Sequence, residues 1–81
     1  MWGQWRKRMD RPNIPLHPVT SSAISHVGHD PLTNTLAVRF PRGVVYHVPG
    51  VTAGEAQRFL QAPSLGRHYQ QFFAHRGQKA G

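Results

Sequence analysis

Two short connections most constrain what this chain can fold into. Residues 30–34 read Asp-Pro-Leu-Thr-Asn and residues 41–43 read Pro-Arg-Gly, both rich in residues that favour turns. The segment between them alternates between apolar and other side chains, as a half-buried strand does. Strands joined by such short connections run antiparallel. The sequence therefore predicts a three-stranded antiparallel meander, with strands near residues 21–29, 35–40 and 44–48 and a candidate bulge at Gly28.

Helical patterns occupy the last third of the chain. Residues 52–55 read Thr-Ala-Gly-Glu, a capping box in which each polar side chain bonds to a backbone N–H of the first turn. Pro63 ends this helix and Ser64 can cap a second one. Helices are thus predicted near residues 53–61 and 65–74. Two helices on one face of a meander make an α+β domain.

The N-terminal segment differs in composition from the rest. Residues 1–18 hold four Lys and Arg residues and three prolines at a three-residue spacing, which favours an extended polyproline II path. We expect residues 1–18 to form a basic arm, of which residues 1–16 are mobile, residues 19–75 to form the domain, and residues 76–81 to form a short tail.

The charge balance points to a polyanionic partner. Ten Lys and Arg residues stand against three acids, giving a formal net charge of +7. Eight of the ten cations are Arg, whose planar fork pairs with phosphate and stacks on flat rings. A domain this basic fits a nucleic acid. The alternative is a soluble basic protein with scattered charge.

Several classes of protein are not favoured. The chain has no cysteine, so disulfides and Cys-based zinc sites are excluded. No apolar run approaches the roughly 20 residues of a membrane span, and the start lacks the apolar stretch of a secretory signal, so a cytoplasmic protein is expected. The six histidines lack neighbours that would complete a metal site, and on a regular strand His26 and His29 would lie on opposite faces. No nucleophile elbow or phosphate loop is present, so we expect no enzyme, no metal and no cofactor.

Five segments of the chain are recognisable together by their order and spacing, at residues 19–24, 27–30, 36–40, 43–46 and 62–67. By these segments the sequence resembles the KTSC domain family over residues 19–74. The family is named for a segment at the C-terminus of some lysyl-tRNA synthetases and includes small bacterial and phage proteins. The resemblance implies an RNA-binding role, which has been suggested for the family. This chain departs from the family pattern at three positions, with His29 and Val48 in place of tyrosines and Gln70 in place of an asparagine.

These observations give a set of candidate binding residues. The Ser64-Leu65-Gly66-Arg67 start of the second helix offers backbone N–H groups to an anion, although Ser64 and Gly66 also fit plain capping and close packing. The strand pattern leaves Tyr46 facing either the core or a ligand. We expect phosphate contacts with low sequence specificity from Arg6, Lys7, Arg8, Arg39, Arg42, His47, Arg58, Ser64, Gly66 and Arg67, and possible base stacking from Trp2, Trp5 and Tyr46.

Two other functions remain open from the sequence. A protein–protein interaction factor that docks on an acidic partner would use the same Trp and Arg residues, since these are frequent at interface hot spots. A homo-oligomer could form through an exposed sheet edge. A continuous arginine-lined groove would favour nucleic acid, whereas an apolar patch rimmed by charge would favour protein.

Overall fold

The antiparallel sheet is wider than the sequence predicted. The computed structural model describes residues 14–80. Within that range five strands form one antiparallel sheet in the order β1-β2-β3-β4-β5. The strands are β1 (His17–Pro18), β2 (His26–Asp30), β3 (Thr35–Arg39), β4 (Val45–Val48) and β5 (Gln78–Ala80). The three central strands are those predicted, and the α+β class is confirmed.

The two additional strands lie in the segments that the sequence placed outside the domain. β1 falls in the expected arm, where Pro18 is tolerated because an edge strand leaves one side of its backbone unpaired. β5 falls in the expected tail and pairs with β4. Mobility was expected for residues 1–16. Residues 1–13 lie outside the described residues, whereas Ile14 is buried and the Pro15 backbone lies against Gly28, so this part of the expected arm packs on the sheet.

The two predicted turns have the backbone geometry that their sequences favour. Asn34 has φ 54° and Gly43 has φ 96°, both in the left-handed region. The Asp30 carboxylate accepts hydrogen bonds from the Leu32 N–H and the Thr33 hydroxyl, each at 3.0 Å. These contacts fix the β2–β3 connection, so β2, β3 and β4 form the expected meander.

The two helices follow β4 directly. They are α1 (Ala53–Leu60) and α2 (Leu65–Phe72), and a 3₁₀ turn (Ala74–Arg76) leads into β5. The capping box at Thr52 and Glu55 is formed in both directions, with N–O distances of 3.2 and 3.3 Å. Neither helix, nor any other in the described range, is long and apolar enough to cross a membrane.

The core lies between the sheet and the helices. Val48 faces Leu36 across β3 and β4, so the two side chains share the helix-covered face. Side chains from both helices and the intervening loops complete this layer. The buried cluster comprises Ile24, Val27, Leu36, Val38, Val48, Val51, Ala56, Phe59, Leu65, Tyr69 and Phe73.

The opposite face of the sheet is partly covered by the N-terminal segment. Gly28 and Ala37 pair across β2 and β3 on this face. A Cβ added at Gly28 would collide with the carbonyl oxygen of Pro15 and lie 3.0 Å from Ile14. Ile14 is buried, and Ala37 is buried although it points away from the helices. The strand register runs unbroken from His26 to Asp30, so Gly28 is not a bulge, and its missing side chain admits the N-terminal backbone instead.

Candidate nucleic-acid interface

Tyr46 lies on the helix-covered face of the sheet, at the margin of the core. It pairs with Val38 across β3 and β4, and Val38 is fully buried. Tyr46 itself is half-buried. The structure therefore settles the orientation that the sequence left open. The ring points to the core side, yet it lies far enough towards the edge to remain partly accessible.

Three aromatic rings meet at this margin. Phe40 contacts Tyr46 edge to face, with ring centroids 5.6 Å apart, and contacts Tyr69 in the same manner at 5.2 Å. Such T-shaped pairs are favoured by the ring quadrupoles. Together with Gln70 and Ala74 the rings line a depression of about 360 Å³. We call these five residues, Phe40, Tyr46, Tyr69, Gln70 and Ala74, the aromatic groove.

Two of the predicted arginines line depressions that adjoin the aromatic groove. Arg42 lines a depression whose wall also includes Phe40 and Tyr46. Arg67 lines another depression that shares Gln70 with the groove. Both arginines are exposed. The groove therefore has two exposed guanidinium groups in the depressions next to it.

A third cation, which the sequence did not indicate, lies beside the groove. Lys79 on β5 pairs directly with Tyr46 on β4, so the two side chains point to the same face. Lys79 is exposed. Lys79 lies in the expected tail, where β5 has three residues, too few to show the alternation of a strand in the sequence. Phe40 and Tyr69 occupy apolar positions of a strand pattern and a helix pattern, and such positions give no sign of a binding role.

Tyr69 is the most buried member of the groove, at 4% exposure. Burial, and in second place the nearby Tyr46 hydroxyl, raises the pKa of Tyr69 above its ordinary value of 10.0. The phenol is therefore neutral at physiological pH and adds no negative charge to the groove.

Other predicted residues lie away from the groove. Arg39 and His47 are on the face of the sheet opposite the helices, since Arg39 pairs with Val45 and His47 with Ala37. Arg58 lines a separate depression between the helices, together with Glu55, His68, Phe72 and Phe73. The predicted phosphate-contacting cations of the described chain thus lie on three separate surfaces. Sequence periodicity orients side chains within a strand, but it does not place the helices relative to the loops.

Ser64 and Gly66 have clear structural roles. The Ser64 hydroxyl accepts a hydrogen bond from the Arg67 N–H at 3.3 Å and caps α2. A Cβ added at Gly66 would lie 2.7 Å from the Ala23 Cβ, so this glycine lets α2 approach the loop that precedes β2. Ser64 lines a depression between that loop and the segment that joins α1 to α2. The predicted site residues Trp2, Trp5, Arg6, Lys7 and Arg8 lie outside the described residues.

The histidines and acids of the described chain are engaged in structural contacts or spread apart. His29 Nε2 donates to the Val51 carbonyl oxygen at 2.6 Å, which ties β2 to the loop before α1. The regular register of β2 places His26 on the opposite face. Among residues 14–80 no group of three or more His, Asp or Glu side chains is arranged to hold a metal ion.

Comparison with known proteins identifies the family. The KTSC domain model matches residues 20–76. An uncharacterized protein of Stutzerimonas stutzeri (strain A1501) is 40% identical over 53 residues, which cover 65% of this chain and 75% of that protein. The crystal structure of a KTSC domain protein from Yersinia pestis is similar with a TM-score of 0.75 and 30% identity, covering 85% of this chain and 100% of the other. The chain belongs to the KTSC domain family.

Proposed function

We infer that this KTSC domain is a non-enzymatic module that binds RNA or DNA through phosphate contacts, with low sequence specificity. The observation that carries this proposal is the aromatic groove with exposed Arg42, Arg67 and Lys79 next to it. Half-buried rings beside exposed cations are the combination that proteins use to hold nucleic acid strands. We place this activity in the cytoplasm.

The charge distribution supports a polyanionic ligand. Among the described residues the acids are Asp30 and Glu55, and neither lines the groove. Asp30 holds the β2–β3 turn, and Glu55 completes the capping box of α1. Arg42, Arg67 and Lys79 therefore act on the groove without a nearby carboxylate, which favours phosphate over a neutral or cationic ligand.

Low sequence specificity follows from the polar groups available. Gln70 is the one amide side chain in the aromatic groove, whereas discrimination among bases needs several directed hydrogen bonds. Arginine–phosphate pairs and ring contacts are made with every sequence. Neither Asp30 nor Glu55, the two acids of residues 14–80, lines the groove. The described residues therefore place no carboxylate there for acid–base catalysis, which supports a non-enzymatic role.

A protein partner is the second candidate function. Phe72 and Leu60 on the helix layer are 49% and 45% exposed, and Arg58 lies in the same depression as Phe72. An apolar side chain next to a cation is typical of a small protein interface. This surface is separate from the aromatic groove, so variants distinguish the two functions.

The test is the salt dependence of binding to a single-stranded oligonucleotide and to poly-glutamate. Removal of one phosphate-binding cation should lower the slope of log affinity against log salt by about 0.7–0.9 units, so Arg42→Ala and Arg67→Ala should each do so. Arg58→Ala is the matched control, because it removes the same charge from the other surface and should change the slope less.

Three results would contradict the proposal. The first is an equal change of the salt slope in all three arginine variants. The second is equal affinity for poly-glutamate and for the oligonucleotide, and the third is no measurable nucleic-acid binding near physiological salt. The last result, together with capture of a protein partner that no longer binds to Phe72→Ser, would favour the protein-binding function.

A further inference from the structure

We propose that the aromatic groove holds an unstacked base, so that the domain binds single strands in preference to duplexes. This inference rests on the proposed nucleic-acid function and specifies its ligand. It is carried by the shape of the groove and by the rings and cations that line and adjoin it.

The three rings of the groove are held by contacts with one another. Tyr69 is buried and contacts Phe40 edge to face, and Phe40 lies against Tyr46 at nearly a right angle, 82° between the ring planes. Phe40 and Tyr46 are both half-buried, so each has part of its ring in contact with the core and part accessible. A ring anchored in this way loses little conformational freedom when a second ring stacks on it.

The groove is concave, and this determines which bases can reach it. The faces of a base in a duplex are covered by its neighbours, and only base edges are accessible in the grooves of the helix. A half-buried ring at the bottom of a depression cannot contact a covered base face. A nucleotide of a single strand can turn its base outwards and insert it, as bases do on other aromatic recognition surfaces.

The polar groups around the groove are placed for the remainder of the nucleotide. Gln70 is exposed at its wall and offers both an amide donor and an acceptor to a base edge. Arg42 and Arg67 line depressions that adjoin the groove. The backbone of a strand that inserts one base into the groove would pass over this adjoining surface, where the two guanidinium groups can pair with its phosphates.

The experiment compares a single strand of about 10 nucleotides, within the range of known single-strand sites, with a duplex of the same sequence. We expect the native protein to bind the single strand more tightly. Tyr46→Leu should lower single-strand affinity about 5- to 150-fold, the range for removal of one stacked base. It should leave duplex affinity nearly unchanged. Tyr46→Phe is the matched control and should retain the preference, since it keeps the ring.

The outcomes separate this inference from the proposed function. Equal affinity for both forms, or a Tyr46→Leu variant that binds the single strand normally, overturns the inference. The proposed function survives that result if Arg42→Ala and Arg67→Ala still weaken binding. Absence of binding to either form overturns both.

A photocrosslink provides a readout that does not depend on the folding of a variant. A strand carrying 4-thiouridine should crosslink in the native protein to the peptide containing Phe40 and Tyr46 or to the one containing Gln70. Crosslinks confined to other peptides would contradict insertion of a base in the aromatic groove.

Discussion

Two glycines at the same position of the two helices have different surroundings. Gly54 is the second residue of α1, where an added Cβ would have only the Thr52 hydroxyl within reach, at 4.0 Å. Gly66 is the second residue of α2, where the Ala23 Cβ would lie at 2.7 Å. The first glycine is therefore replaceable, whereas the second permits a close approach between α2 and the preceding loop.

We predict opposite effects of alanine at these two positions on the free energy of unfolding. Gly66→Ala should destabilise by about 1–3 kcal/mol, because the added methyl group forces the loop at Ala23 to move. Gly54→Ala should stabilise by up to about 1 kcal/mol, because alanine loses less backbone entropy in a helix. Chemical denaturation measures both values. A neutral Gly66→Ala would show that the loop moves without cost, and would contradict a packing role for this glycine.

Tyr46 shows which features of a single residue the sequence can predict and which it cannot. Alternation places Tyr46 and Val48 on one face of β4, but it cannot say how far the helices extend over that face. Val48 is fully buried under them, whereas Tyr46 lies at their margin. Val48, where the resemblance would place a second tyrosine, is thus a core residue of this chain and offers no surface to a ligand.

At the scale of the helix, substitutions of Ser64 test whether the start of α2 lies near a bound phosphate in addition to capping the helix. Its hydroxyl caps the first turn, and Arg67 on that same turn borders the candidate interface. Aspartate is as good a cap as serine, whereas alanine is a poor one. The two substitutions therefore separate the capping role from an effect of charge on a bound phosphate.

We predict that Ser64→Ala lowers the free energy of unfolding by about 0.5–2 kcal/mol and leaves nucleic-acid affinity nearly unchanged. Ser64→Asp should retain stability but weaken nucleic-acid binding at low salt, because it adds a negative charge near Arg67. Thermal unfolding and affinity titrations check the two effects. If Ser64→Asp binds as the native protein does, no phosphate lies near this end of α2.

The elements differ in how well the sequence predicts them, for identifiable reasons. α1 has a complete capping box and a buried stripe, so its start is predicted to the residue. β1 and β5 have two and three residues, too few for a periodic pattern. They form because β2 and β4 would otherwise present unpaired backbone edges. Lys79 was missed for that reason, since its place beside the aromatic groove depends on the pairing of β5.

For the whole molecule, the boundary of the N-terminal arm is a testable feature. Ile14 is buried, and the Pro15 backbone lies against Gly28, so both residues belong to the folded domain. The cations Arg6, Lys7, Arg8 and Arg11 all precede residue 14. A deletion of residues 1–13 removes these four cations and keeps every described residue up to Ala80, whereas a deletion of residues 1–18 also removes Ile14 and β1.

We predict that deleting residues 1–13 weakens nucleic-acid binding and lowers the salt slope by up to about 3.6 units, the value if all four cations contact phosphates. The melting temperature should stay close to that of the full chain. Deleting residues 1–18 should in addition cost at least about 2 kcal/mol of stability, because a buried isoleucine is removed. Unfolding of the shorter deletion would instead mean that Trp2 and Trp5 contribute to the core.

The order of the strands has a consequence for how the molecule assembles and opens. Each of the first four strands pairs with its neighbour in the chain, whereas β5 reaches β4 only after both helices have been traversed. Contacts between distant parts of a chain form late, because closing a long loop costs entropy before the contact repays it. β5 is therefore the strand expected to join last and to fray first in native-state hydrogen exchange. Lys79 is part of β5, so fraying of this strand would move the Lys79 ammonium away from the aromatic groove while the meander and its core remain folded.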